Sequence, residues 1–137
     1  MTYAGDLSPT EAWALLERDP EAVLVDVRSE AEWIFVGVPD VTGLGKKLVM
    51  VSWNHWPGGT RNRQFLEELG AAGVGGEGPT LFICRSGARS QAAALAATQA
   101  GLAPSYNVSE GFEGDLDGSG HRGSTGWRAR GLPWRQS

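Results

Sequence analysis

Apolar positions along the chain follow two rhythms. Behind Ser8-Pro9-Thr10-Glu11, residues Ala12, Leu15 and Leu16 recur at helical spacing. Ser8 can cap, Pro9 suits a first turn, and Glu11 completes a capping box, so a helix is predicted up to about Arg18, before Asp19-Pro20. Residues 23–27, Val-Leu-Val-Asp-Val, are almost continuously apolar and β-branched, as in an interior strand of a parallel sheet covered on both faces. A short helix is predicted over 29–35, a connection over 38–47 and a strand over 48–53. Residues 61–69 form an amphipathic helix with Phe65, Leu66 and Leu69 inward, and the glycine-rich 70–79 is a turn. Leu81-Phe82-Ile83 is a short buried strand, 90–100 an alanine-rich helix closed by Gly101, and 105–108 the last strand. Helix and strand alternate throughout, which predicts an α/β fold: a parallel β-sheet with helices on both faces.

Length and composition narrow the class. The 137 residues suit one domain, and 41% hydrophobic with 20% charged residues is ordinary for a globular chain. The net charge of −4 is uneven: residues 1–60 carry nine acidic and four basic groups, residues 61–137 seven acidic and eight basic. An acidic chain without a basic stripe argues against nucleic acid as a partner. No apolar run approaches the roughly 20 residues that span a bilayer, and the first residues lack a leader pattern. A single cysteine cannot form an internal disulfide, so a reducing, cytoplasmic setting is expected. Residues 114–126 are polar and glycine-rich, yet Trp127, Leu132, Pro133 and Trp134 follow. Residues 114–137 are therefore expected to pack back on one domain spanning 1–137.

The candidate chemistry centres on Cys84. It lies between the carboxyl end of one strand and the amino end of a helix, where unpaired N–H groups and the helix dipole favour negative charge. Arg85 and Arg89 are close in sequence, and two buried arginines beside a merely structural cysteine would be costly without an anion. Gly87 allows the loop to turn inward. At the end of the 23–27 strand, Asp26 and Arg28 read as a structural ion pair or as part of the site. His55 and Trp56, in the loop leaving the same sheet edge, read as a pocket wall or as surface. The two histidines have no ligand spacing with Cys84, so no metal and no cofactor is implied.

Cys84-Arg85-Ser86-Gly87-Ala88-Arg89-Ser90 resembles the active-site loop of rhodanese-like sulfurtransferases. Leu24-Val25-Asp26-Val27-Arg28 with Glu32-Trp33, Asn107-Val108 with Gly111, and Trp127 with Gly131-Leu132-Pro133 resemble further segments of that family in the same order. The segment after Arg28 departs from the family pattern, keeping only Gly37-Val38-Pro39 of its usual stretch. The resemblance implies a three-layer rhodanese-like fold and a Cys84 persulfide, loaded from a small anionic donor (thiosulfate or a persulfide) and unloaded to a thiol or cyanide. It implies a donor-binding loop over residues 85–90: the N–H groups of Arg85, Ser86, Gly87, Ala88 and Arg89 form an anion cradle, Arg85 binds the donor's anionic end, Arg89 does the same or braces the loop, and the Ser86 and Ser90 hydroxyls donate to sulfur or cap the helix. It also favours the structural role for Asp26 and Arg28.

Two rival readings stand beside this one. A persulfide-carrying or non-enzymatic module would present the same surface to a protein acceptor. A cysteine phosphatase or arsenate reductase would need an arginine six residues after the cysteine, where this chain has Ser90.

Overall fold

Five short strands side by side create the edge from which the Cys84 loop projects. In this computed structural model, which describes residues 2–75 and 78–136, the elements are β1 (Gly5–Leu7), α1 (Pro9–Arg18), β2 (Val23–Asp26), α2 (Glu30–Phe35), β3 (Val38–Pro39), β4 (Val49–Met50), α3 (Phe65–Ala71), β5 (Thr80–Ile83), α4 (Ala88–Gln99), β6 (Ser105–Val108) and β7 (Trp134–Arg135). A 3-10 turn lies at Thr42–Leu44. The main sheet has the order β1-β6-β5-β2-β4, and its paired strands are parallel. A two-stranded antiparallel ribbon joins β3 to β7. The glycine-rich turn expected over 70–79 includes residues 76 and 77, which lie outside the described set.

Strand alternation sorts the core into two layers. Leu24, Leu81 and Ile83 face α1 and the tail, packing with Ala12, Leu16, Phe112 and Trp127. Val25, Phe82 and Cys84 face the other way, against Phe65 and Leu69 of α3 and Ala93, Ala94 and Ala97 of α4. Small residues along α4 let that helix lie close to the sheet. With helices on both faces, the architecture is the expected three-layer, mixed α/β arrangement.

Local chemistry sets the element ends. The Ser8–Glu11 capping box forms as expected, with Glu11 N donating to Ser8 Oγ at 3.1 Å and Ser8 N to Glu11 Oε1 at 2.8 Å. A second box opens α2, where Ser29 and Glu32 exchange the same pair of bonds. Several expectations need correction. The chain opens with a strand, β1, ahead of the first helix. The 38–47 connection contains β3, and β4 covers only two of the residues expected over 48–53. Helix α3 starts at Phe65 rather than 61; Phe65 and Leu69 face inward, whereas Leu66, expected inward, is exposed. Residues 61–64 are instead held by the preceding loop, where Asn62 N donates to Trp53 O at 2.8 Å.

Candidate active site

Strand β5 carries the chain to the sheet edge, and Cys84 is the first residue beyond it. The thiol is buried, 1% exposed, because its side chain continues the alternation that points Phe82 towards α4. The chain then turns through Gly87, with φ of +117°, into α4. A Cβ at that position would stand 2.4 Å from Ser109 O, so the close turn requires glycine. Gly87 N donates to Cys84 Sγ at 3.1 Å. The first turn of α4 has further N–H groups without intrahelical acceptors.

A turn after β6 fixes the orientation of the loop peptides. Phe112 N donates to Cys84 O at 2.8 Å, and Glu113 N donates to Arg85 O at 3.0 Å. These bonds hold the loop carbonyls on the side of the 111–114 turn. Gly111 makes the approach possible, since its Cβ would lie 2.4 Å from Arg85 O.

Ser90 is fully buried on the first turn of α4, with Oγ 3.2 Å from Cys84 Sγ, 3.2 Å from Gly87 O and 2.5 Å from Asn107 Oδ1. Arg89 points across to α2 and donates to both Glu32 oxygens at 2.7 and 2.9 Å. Burial opposes ionisation of Glu32, but the Arg89 guanidinium and the Ser29 N–H and hydroxyl outweigh it and hold the carboxyl at about 2. Arg89 is thus a brace between α4 and α2.

Asp26 and Arg28 form a wholly buried pair at the end of β2, with Arg28 Nη2 donating to Asp26 Oδ2 and to Gly37 O, both at 2.7 Å. The Phe112 ring covers the guanidinium at 4.4 Å. The pair thereby ties β2 to the chain before β3 and to the turn that supports the Cys84 loop.

A cavity of about 310 Å³ opens at this edge, lined by residues that include Glu32, Asn54, His55, Trp56, Arg85 and Arg89. His55 and Trp56 are therefore part of a pocket wall. Their loop is a small closed hairpin, in which His55 N donates to Thr60 O and Gly59 N to His55 O, each at 2.8 Å. Cys84, Ser86, Gly87, Ala88 and Ser90 are not among the lining residues; Cys84 and Ser90 lie deeper, beneath the loop. Arg85 is exposed and contributes the loop's outward-facing cation. Three contributors had no assigned role in the sequence reading: Glu32, Asn107 and Gly111. Each lay in a recognisable segment, but its part depends on a partner far along the chain.

The family model of the STR4 middle domain matches residues 4–137. The chain belongs to the STR4 middle-domain family. An uncharacterized protein of Rickettsia conorii is 33% identical to this chain over 131 residues, covering 95% of this chain and 96% of the relative. The chloroplastic rhodanese-like domain-containing protein 4 of Arabidopsis thaliana is 30% identical over 128 residues, covering 93% of this chain but 25% of the plant protein. The crystal structure of Rv0390 from M. tuberculosis superposes with a TM-score of 0.92 at 57% identity, over 99% of this chain and 100% of that one. A polysulfide-sulfur transferase homodimer from Wolinella succinogenes gives a TM-score of 0.66 at 27% identity, over 96% of this chain and 78% of that one. The chain thus shares its fold with a sulfurtransferase and is distantly related to rhodanese-like proteins. Among the described residues, no helix is long and apolar enough to cross a membrane.

Proposed function

We propose that this chain, acting as one rhodanese-like unit over residues 1–137, is a sulfurtransferase that carries sulfane sulfur as a Cys84 persulfide. The observation that carries the reading is the position of Cys84 Sγ, at the end of β5, accepting the Gly87 N–H at 3.1 Å at the start of α4. That donor and the helix dipole stabilise negative charge on sulfur. No histidine is in the loop, so activation is electrostatic. Arg85 supplies the cation that draws an anionic donor, and the loop over residues 86–90 shapes its seat.

With thiosulfate, the Cys84 thiolate attacks the outer sulfur. The new Sγ–S bond forms as the S–S bond of thiosulfate breaks, and sulfite leaves with the electron pair. An acceptor thiolate or cyanide then attacks the outer sulfur of the persulfide and regenerates the Cys84 thiolate. Donor classes extend to persulfides and polysulfides, in keeping with the named activity of the Wolinella neighbour. A cytoplasmic or comparably reducing compartment suits a lone reactive thiol. Engagement of Arg89 by Glu32 argues against a phosphatase or arsenate reductase, which needs a free arginine to chelate an oxyanion.

A persulfide carrier serving a protein acceptor is the second reading, favoured by Trp56 standing exposed on the cavity wall. Intact mass spectrometry after incubation with thiosulfate tests the primary reading. A gain of one sulfur atom is expected, removed by cyanide and absent in Cys84→Ser. No adduct on a folded protein overturns thiosulfate as donor, and transfer only to a protein thiol supports the carrier reading.

A further inference from the structure

Cys84 stands at one end of a hydrogen-bonded chain that sulfur transfer as described leaves unused. Strand register sets Asp6 beside Asn107. Asn107 Nδ2 donates to Asp6 Oδ1 at 2.9 Å, and Tyr3 Oη donates to the same oxygen at 2.7 Å. Gln91 Nε2 donates in turn to Tyr3 Oη at 2.9 Å. A carboxylate only accepts, so the Asn107 amide must present its nitrogen to Asp6 and its oxygen inward. There Ser90 Oγ lies 2.5 Å away. Ser90 has one hydroxyl hydrogen for three acceptors, and Asn107 Oδ1 is nearer than Gly87 O or Cys84 Sγ, both at 3.2 Å.

With that hydrogen committed to Asn107, Ser90 turns oxygen lone pairs towards Sγ. This suits a thiol, whose S–H donates to Ser90 Oγ. It opposes a thiolate, which needs the Ser90 hydrogen for itself. Swinging the hydrogen to sulfur would strip the buried Asn107 Oδ1 of its donor. Turning the amide to compensate would set Oδ1 against the Asp6 carboxylate.

We propose that Asp6 is a positioning residue for Cys84: by locking the Asn107 amide it aims the Ser90 hydroxyl hydrogen away from sulfur and holds the resting side chain as the less reactive thiol. Asp6 acts through two intermediates and touches neither sulfur nor donor. The relay opposes the Gly87 N–H, so resting reactivity reflects both. Other charged groups on elements around Cys84 are Asp26 and Arg28 at the end of β2, Glu32 on α2, His55 in the pocket loop, Glu67 and Glu68 on α3, Arg85 and Arg89, and Glu110 and Glu113 after β6. None of them is changed in the test.

The inference rests on Cys84 as the nucleophile, but its test needs no sulfur donor. Iodoacetamide alkylation followed by intact mass reads Cys84 alone, the single cysteine of the chain. Asp6→Asn keeps size and removes the lock, because a carboxamide can donate to the turned Asn107 oxygen. Alkylation at pH 7 is expected to accelerate about three- to tenfold, the net worth of one ordinary hydrogen bond, with the pH–rate profile moving to lower pH. In a Ser90→Ala background the gain should vanish. An unchanged rate overturns the proposal. A gain that persists undiminished with Ser90→Ala also overturns it, since a bare charge effect would do that. Asp6→Ala frees the amide as well and gives the same two readings should the first variant fail to fold. Failure of sulfur loading with a positive alkylation result would overturn the sulfurtransferase reading alone.

Discussion

Arg89 lies five residues after a candidate nucleophile, yet its guanidinium is engaged by both oxygens of Glu32. The sequence left binding or bracing open because the deciding partner is 57 positions away. The bracing has a pH signature. The Glu32 carboxyl is held at about 2 in the folded protein against 4.5 when free. A depressed carboxyl contributes stability that is fully present above the free value and is lost as pH falls towards the folded one. Stability is therefore expected to decline between about pH 4.5 and 2, by about 1–2 kcal/mol after solvent screening, and Glu32→Gln should flatten that part of the curve. Urea midpoints at pH 6 and pH 3 measure it, and parallel curves for the two proteins would remove the brace. Trp56 gives a contrasting case, exposed on the cavity wall with little to hold it. Trp56→Ala should leave the melting temperature unchanged. If the site takes organic persulfides, it should raise KM for them several-fold while loading from thiosulfate stays the same. Equal loss with both donors would place the tryptophan outside recognition.

At the scale of elements, what was legible followed from local signals. The Ser8 capping box, the apolar 23–27 run and the Leu81–Ile83 run mark α1, β2 and β5, and the strand–loop–helix setting of Cys84 follows from the last. Strand β1 was missed because Gly5-Asp6-Leu7 offers no apolar run; it exists by pairing with β6, a hundred residues later. The start of α3 was misplaced because 61–64 carries no strong cap, and the loop's bond to Trp53 claims that segment instead. Gly111 belongs to the same class of nonlocal fact. Its φ is +68°, and a Cβ would meet Arg85 O at 2.4 Å. Gly111→Ala should therefore push the turn off the Cys84 loop, at a cost of about 2–4 kcal/mol, the range for backbone strain plus a forced contact. Thermal melting reads the stability, and slower sulfur loading in the folded fraction reads the loop. Substituting Gly118, around which nothing lies within 4 Å, is the control and should melt like the native chain.

For the whole molecule, the tail closes the structure over the site's support. Four apolar residues follow a glycine-rich stretch, but nothing in the tail itself names what they meet. Trp127 is fully buried, meets Trp13 of α1 edge to face at 5.9 Å, and donates Nε1–H to Pro133 O at 2.7 Å. Its backbone N donates to Gly111 O at 2.8 Å, and the next residue in that turn, Phe112, donates to Cys84 O at 2.8 Å. Tail, turn and nucleophile loop thus form one connected support. Trp127→Ala should cost about 3–5 kcal/mol, the price of a large core truncation. Because the turn is shared, the loss should also reach the site. Trp127→Phe keeps much of the buried ring but forfeits the Pro133 bond, so it should retain most of the stability. The deciding comparison is alkylation of Cys84 in folded Trp127→Phe against the native chain, beside a core variant in the layer that does not contain Cys84, such as Leu16→Val. A changed rate only in the tail variant would show that the tail orders the loop. Equal rates in both would make Trp127 a stabiliser with no hold on Cys84.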